Sequence, residues 1–175
     1  GGALYKGNGA RLDLTDSTFL NNHAVRTDLD DSDTEGAGRG GAIFTTGSTG
    51  SPTQGSYVGG CTFEGNVADA GGAAVASWLE SWFFNSSSFV DNVDNSNDEG
   101  LMRLQKGHII VRDCDFTTAQ RIVDHTTTSS TLKVYCSPTL TSANVWVCGG
   151  CDDTYETTCG PVVDTNAFGF DVTWP

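Results

Sequence analysis

Over the first 120 positions of the chain, apolar residues fall in short runs that alternate with polar ones, and the runs recur. Arg11-Leu12-Asp13-Leu14 is followed by Thr18-Phe19-Leu20-Asn21-Asn22, Ser56-Tyr57-Val58 by Cys61-Thr62-Phe63-Glu64-Gly65-Asn66, Trp82-Phe83-Phe84 by Phe89-Val90-Asp91-Asn92, and Ile109-Ile110-Val111 by Phe116. Aligned on the phenylalanine, position −5 holds Leu14, Val58, Phe84 and Val111, and position −7 holds Leu12, Ser56, Trp82 and Ile109. Position −2 holds Ser17, Cys61, Ser87 and Cys114, and position +3 holds Asn22, Asn66, Asn92 and then Ala119. Inward positions at odd offsets before the break and at the phenylalanine after it mean two strands meeting at a bend, each with the period of two that strands require. The asparagine column suits a ladder in which each amide bonds its neighbour one coil away at a turn.

A Gly-Gly-Ala element precedes each pair of strands: Gly1-Gly2-Ala3-Leu4, Gly40-Gly41-Ala42-Ile43, Gly71-Gly72-Ala73-Ala74 and a degraded Glu99-Gly100-Leu101. From the last glycine of each to the phenylalanine the spacings are 17 (2 to 19), 22 (41 to 63), 17 (72 to 89) and 16 (100 to 116). The longer copy carries Gly47-Ser48-Thr49-Gly50-Ser51-Pro52, a loop composition. Such a repeat signals a solenoid. The expected fold is all-β, a right-handed parallel β-helix of about five or six coils, with residues 1–140 forming coils and 141–175 a disulfide-stapled, Cys-rich C-terminal cap and terminal strand. The competing β-sandwich has strands every 8–12 residues or so and would not preserve these columns.

The pairing of Gly-Gly-Ala-(Ile/Leu) with Phe-x-x-Asn resembles the polymorphic outer-membrane protein repeat of chlamydial type, over about residues 1–120. The resemblance implies a parallel β-helix at the cell surface, and it implies no catalytic residues because the motif is structural.

Few helix formers and much Gly, Ser, Thr, Asn and Asp agree with an all-β chain of one structural domain. No stretch reaches the roughly 18 apolar residues of a membrane-spanning helix, and no signal peptide is present. Beginning at Gly1 within a repeat and without Met, the chain reads as a processed product or a segment of something longer. A net charge of −13 argues against nucleic-acid binding, which draws its affinity from Lys and Arg, and fits a solvated extracellular or cell-surface protein or one that binds cations.

Six cysteines point to an oxidising compartment. Cys114 and Cys136 are expected to pair across adjacent rungs about 4.8 Å apart, a distance a disulfide spans, whereas Cys61 and Cys114 are two rungs apart. Cys159 is expected to pair with Cys148 or Cys151, which leaves Cys61 and one other cysteine without assigned partners. Zinc at Cys148-Gly149-Gly150-Cys151 lacks a fourth ligand at suitable spacing. Two acidic insertions, 25–39 and 91–100, leave the coil at one register. Asp31, Asp33 and Glu35 are candidate calcium ligands, although the acid that an EF-hand loop needs at its twelfth position falls on Ala42. No other cofactor is implied. Asn85-Ser86-Ser87 is an N-glycosylation sequon, and Phe83 and Trp78 face outward as a candidate sugar or subunit contact, against the reading that they are covered.

Polysaccharide-cleaving enzymes share this architecture, but their paired carboxylates or calcium with a basic Arg or Lys have no clear counterpart among Arg103, Lys106, His108, Arg112, Asp113, Asp124 and His125. The expected function is therefore structural and non-catalytic: a subunit of an extracellular filament or surface layer whose partners are copies of itself stacked end to end. The assembly residues would be Gly1, Gly2, Ala3 and Leu4 at one end and the alternating strand Phe168, Phe170, Val172 and Trp174 at the other. The alternatives are a glycan-binding adhesin or passenger-domain fragment, and an enzyme of the lyase or hydrolase type.

Overall fold

A computed structural model of the chain describes residues 1–7, 10–27, 37–47, 55–96, 100–105, 108–117, 121–124, 131–135, 145–146 and 152–156. Every described element is a strand, and every pairing is parallel. The Gly-Gly-Ala elements lead into a sheet of β1 (Leu4–Lys6), β5 (Ile43–Thr46), β9 (Val75–Trp78), β13 (Gly100–Gln105), β16 (Arg121–Asp124) and β18 (Val145–Trp146), stacked in that order. The runs before the bend form a second sheet, from β2 (Asp13–Thr15) through β6 (Ser56–Gly59), β10 (Ser81–Asn85), β14 (His108–Arg112) and β17 (Thr131–Tyr135) to β19 (Asp152–Glu156). The phenylalanine strands β3 (Thr18–Leu20), β7 (Thr62–Glu64), β11 (Ser88–Val90) and β15 (Asp115–Phe116) form a third. The short β4 (His23–Ala24), β8 (Val67–Ala68) and β12 (Val93–Asp94) form a fourth. Each strand pairs with its counterpart one repeat away, a strand order consistent with a parallel β-helix.

The inward columns are those of the sequence. Leu14, Val58, Phe84 and Val111 are in register, as are Phe19, Phe63, Phe89 and Phe116. Val58, Phe63, Phe84 and Phe89 are fully buried, and each buried side chain of this size contributes about 1.5–3 kcal/mol. Successive phenylalanine rings stand 4.9 Å apart and within 4–7° of parallel, because the coil spacing sets the ring spacing.

The bends are made by left-handed backbone. Position −3 is left-handed in Asp16, Gly60, Ser86 and Asp113, and position +2 in Asn21, Gly65 and Asp91, with φ between 47° and 63°. An L-residue pays roughly 1–2 kcal/mol there, least for Gly, Asn and Asp, whose short or absent side chains relieve the clash. The inter-coil hydrogen bonds continue through the corners, from Asp16 N to Gly59 O, Gly60 N to Asn85 O and Ser86 N to Arg112 O. Just past the first corner, Ser17 Oγ, Cys61 Sγ, Ser87 Oγ and Cys114 Sγ each donate to the carbonyl two residues back, at 2.8–3.4 Å.

One expectation needs correction. The Gly-Gly alignment slips by one in the third copy: Ile43 pairs with Val75, so Gly72 stands level with Gly40 and Ala73 level with Gly41. What the register preserves is the left-handed glycine, φ 66° at Gly40 and 73° at Gly72. Val145–Trp146 joins the β1 sheet through β16, and the column of Ile109 continues 23 residues later at Leu132. Phe83 alternates with the inward Trp82 and Phe84 yet is only 4% exposed and stacks 5.7 Å from Tyr57, so of the two readings the covered one holds for it; Trp78 is half-buried. β18 and β19 stand at the ends of the first and second sheets.

Candidate functional site

The first coil differs from the next in how far its inward residues are covered. Leu4, Leu12, Leu14 and Phe19 are only partly buried, while their counterparts one coil on, Ile43, Val58 and Phe63, are fully covered. Gly1, Gly2 and Ala3 are exposed, and their backbone is tied to the second coil through Gly2 N to Gly40 O (3.1 Å) and Ala3 N and Leu4 N to Ala42 O (both 3.0 Å).

The asparagine ladder gives this face a direction. Asn22 donates its backbone N and Nδ2 to Asn66 Oδ1 at 3.1 and 2.8 Å, and Asn66 does the same to Asn92 Oδ1 at 3.1 and 2.9 Å. The second amide hydrogen runs back across the coil, from Asn66 Nδ2 to Phe19 O and from Asn92 Nδ2 to Phe63 O, both at 2.9 Å. In each step the upper coil supplies two donors and one carbonyl to the coil below. Among the described residues nothing supplies them to Asn22, so its Oδ1, its second amide hydrogen and one face of the Phe19 ring present half of each ladder, a template for another coil of the same repeat.

Beside the ladder, the carboxylate of Asp69 gathers contacts from three residues. His23 Nε2 lies 2.9 Å from Oδ1, Asn95 Nδ2 donates to the same oxygen at 3.0 Å, and Arg26 N donates to Oδ2 at 2.9 Å. The His23 contact first, then the Arg26 amide and the Asn95 side chain, hold its carboxyl down at about 2. A depressed folded value means that the stabilisation is fully present above the ordinary carboxylate range and is lost as pH falls toward that lower value. The melting temperature lost on Asp69→Asn should therefore be larger at about pH 6 than at about pH 2. Equal losses at both would show that the carboxylate charge is not what these contacts use.

The other candidate residues divide. Asp31, Asp33, Glu35, Cys136, Cys148, Cys151, Cys159, Phe168, Phe170, Val172 and Trp174 lie outside the described residues, as do Lys106 and His125. The acidic insertions leave at one register, after β4 and β12, which are both paired to β8, so the second begins at residue 95 and not at 91: Asn92, Val93 and Asp94 belong to the coil. Asp94 at the second exit is engaged with backbone, accepting from Ser96 N and Gly100 N at 2.8 Å each. Cys61 and Cys114 are buried two rungs apart with Ser87 between them: Cys61 N donates to Ser87 Oγ, and Asp115 N to Ser87 O. Burial pushes the Cys114 thiol up to about 12 and the Cys61 thiol up as well. Asn85 ends β10 half-buried, and the sequon hydroxyl of Ser87 is buried in the corner.

Of the groups weighed for catalysis, Arg103 Nη1 donates to Ala70 O, Arg112 Nε donates to Asp113 Oδ2 at 3.2 Å, and Asp113 occupies a left-handed corner. Among the described residues no three His, Cys, Asp or Glu side chains cluster closely enough to hold a metal ion. The corner columns at −3 and +2 were missed in the sequence because Asp, Gly, Ser and Asn share no hydropathy; their shared signal is tolerance of positive φ.

Residues 16–46 match the Chlamydia polymorphic membrane protein repeat. The matched span starts at the Asp16 corner, crosses the Phe19 and Asn22 rungs and the first acidic insertion, and ends with Gly40-Gly41-Ala42 and β5. The chain thus carries repeats of the polymorphic membrane protein type. No curated protein and no solved structure matches the chain. Among the described residues no helix is long and apolar enough to cross a membrane, which leaves β-barrel spans unaddressed.

Proposed function

We propose, with the polymorphic membrane protein repeat as premise, that this chain is a non-catalytic structural element of a surface protein: a right-handed β-helix with a disulfide-stapled C-terminal cap that grows by stacking coil on coil, including end to end between copies in a filament or surface layer. The observation that carries this reading is the half-filled ladder on the first coil, where Leu4, Leu12, Leu14, Phe19 and Asn22 need a coil of the same repeat to complete them. In an assembly that cover comes from another copy, and the segment 168–174, with apolar residues at alternate positions, is the part of the sequence suited to start the contact. Head-to-tail joining of this kind propagates unless the rotation closes a ring.

The repeat match favours a second reading, in which the chain is a portion of a longer passenger or adhesin and the covering coil belongs to the same polypeptide. Sedimentation and negative-stain electron microscopy of the purified chain separate the two. Assembly predicts filaments that grow with concentration and are lost on Phe19→Asp, which places a charge on the stacking face. A chain that stays monomeric at every concentration, or filaments indifferent to that substitution, would exclude end-to-end stacking through this face and leave the passenger reading.

A further inference from the structure

Inside the solenoid, away from the stacking face, lies a buried pair that neither the repeat motif nor the proposed function uses. Lys6 of β1 reaches inward and contacts Glu80, 74 residues away, although Lys6 belongs to the first coil and Glu80 to the third. Lys6 is 8% and Glu80 5% exposed. Between them stands Ser56 of the second coil, fully buried, whose Oγ–H donates to the same Glu80 oxygen, Oε1, and accepts from Leu12 N at 3.2 Å. That second bond fixes the hydroxyl proton toward the carboxyl group. The other oxygen, Oε2, is buried without a partner, and so is the hydroxyl of Thr45, next to Lys6 in the sheet. Glu80 is turned inward by Leu79, which is left-handed at φ 59°; every other non-glycine left-handed residue described is an Asp, Asn or Ser. Strain at a bulky apolar residue persists where the surrounding structure demands a particular direction.

A lone buried ion pair returns little of its desolvation cost. The geometry points to a different fate for this one: Lys6 Nζ and Glu80 Cδ condense to an amide, a covalent clasp across three coils formed within the folded chain. As Nζ moves from its contact with Oε1 over the carboxylate toward Cδ, one proton passes from the ammonium to Oε2, and the freed nitrogen lone pair attacks Cδ. A second proton moves from nitrogen to Oε2, the Cδ–Oε2 bond breaks, and Oε2 leaves as water. Oε1 remains as the amide carbonyl, its developing negative charge met by the Ser56 hydroxyl in the manner of a single oxyanion-hole donor. One N–H···C=O unit replaces two charges, with the Ser56 donor for its oxygen and the Thr45 hydroxyl available to its N–H. No oxidant, metal or co-reactant enters the balance.

The test is the intact mass of the folded, stored, then fully reduced and denatured chain, followed by tryptic mapping. The expected mass is lower than the sequence mass by one water, with no cleavage after Lys6 and a branched peptide joining the Lys6 and Glu80 segments; Lys6→Arg should restore the full mass. An unshifted mass with normal cleavage after Lys6 would overturn the clasp and leave an ion pair. So would a loss of water with Lys6 still cleavable, which places the dehydration elsewhere. Should Lys6→Arg fail to fold, the peptides of the unmodified sequence decide alone. Assembly and location do not enter these readouts, so this inference and the proposed function fail separately.

Discussion

Phe63→Ala is expected to destabilise the chain by about 4–6 kcal/mol, enough to remove most of the roughly 5–15 kcal/mol that a domain of ordinary stability possesses. Phe63 is fully buried, with Phe19 4.9 Å to one side and Phe89 4.9 Å to the other. Truncation forfeits the transfer of the ring, leaves a void the neighbours cannot close without breaking register, and removes two ring contacts at once. Phe19→Ala removes a half-buried ring stacked on Phe63 and should cost less than half as much. Guanidinium unfolding followed by Trp fluorescence supplies both numbers, with Trp82 fully buried in the adjoining column as the reporter. Because each coil stabilises chiefly its neighbours, Phe63→Ala should also split the transition into two steps. Equal costs at Phe63 and Phe19 would mean that the column is not a stack whose interior members carry more than its end.

The phenylalanine, asparagine and apolar columns were legible in the sequence because a solenoid asks the same question of every coil. A side chain facing inward at one rung meets its counterpart from the next, so identity or size is repeated at fixed offsets, as in Leu14, Val58, Phe84 and Val111. The glycine register was misread for a related reason. Alignment on the visible Gly-Gly pair places Gly72 with Gly41, but the backbone requires its left-handed residue at Gly40 and Gly72 and tolerates Ala73 beside Gly41. Gly41 itself has no room for a side chain, since a Cβ there would stand 2.0 Å from Ala73 O. The Lys6, Ser56 and Glu80 contact was not legible at all. It joins three coils through residues from unlike positions in the repeat, and no spacing rule connects a strand-end lysine to an acid 74 residues later.

Asn66 offers the second large effect, and its cause is polar where that of Phe63 is apolar. Its side chain spends its full inventory: Oδ1 accepts from Asn22 N and Nδ2, and Nδ2 donates to Asn92 Oδ1 and Phe19 O, with the residue fully buried. Asn66→Ala strands the Asn22 amide groups and the Phe19 carbonyl, while Asn92 Oδ1 keeps the backbone N–H of residue 66. Each buried orphan costs about 1–3 kcal/mol, so a total of about 3–5 kcal/mol is expected. Asn66→Asp has the same shape but the wrong chemistry, since an ionised carboxylate would face two acceptor oxygens, Asn92 Oδ1 and Phe19 O, with no hydrogen to offer them. Only its protonated form can donate, so the introduced group must have a folded pKa above its unfolded one, and its stability is present at low pH and lost as pH rises through the folded value. Thermal melts of Asn66→Asp should therefore show a higher midpoint at about pH 4 than at about pH 7, measured against the parent chain at each pH. A difference that stays flat with pH would mean that residue 66 reaches water, and the ladder would then be a surface row without the structural weight assigned to it here.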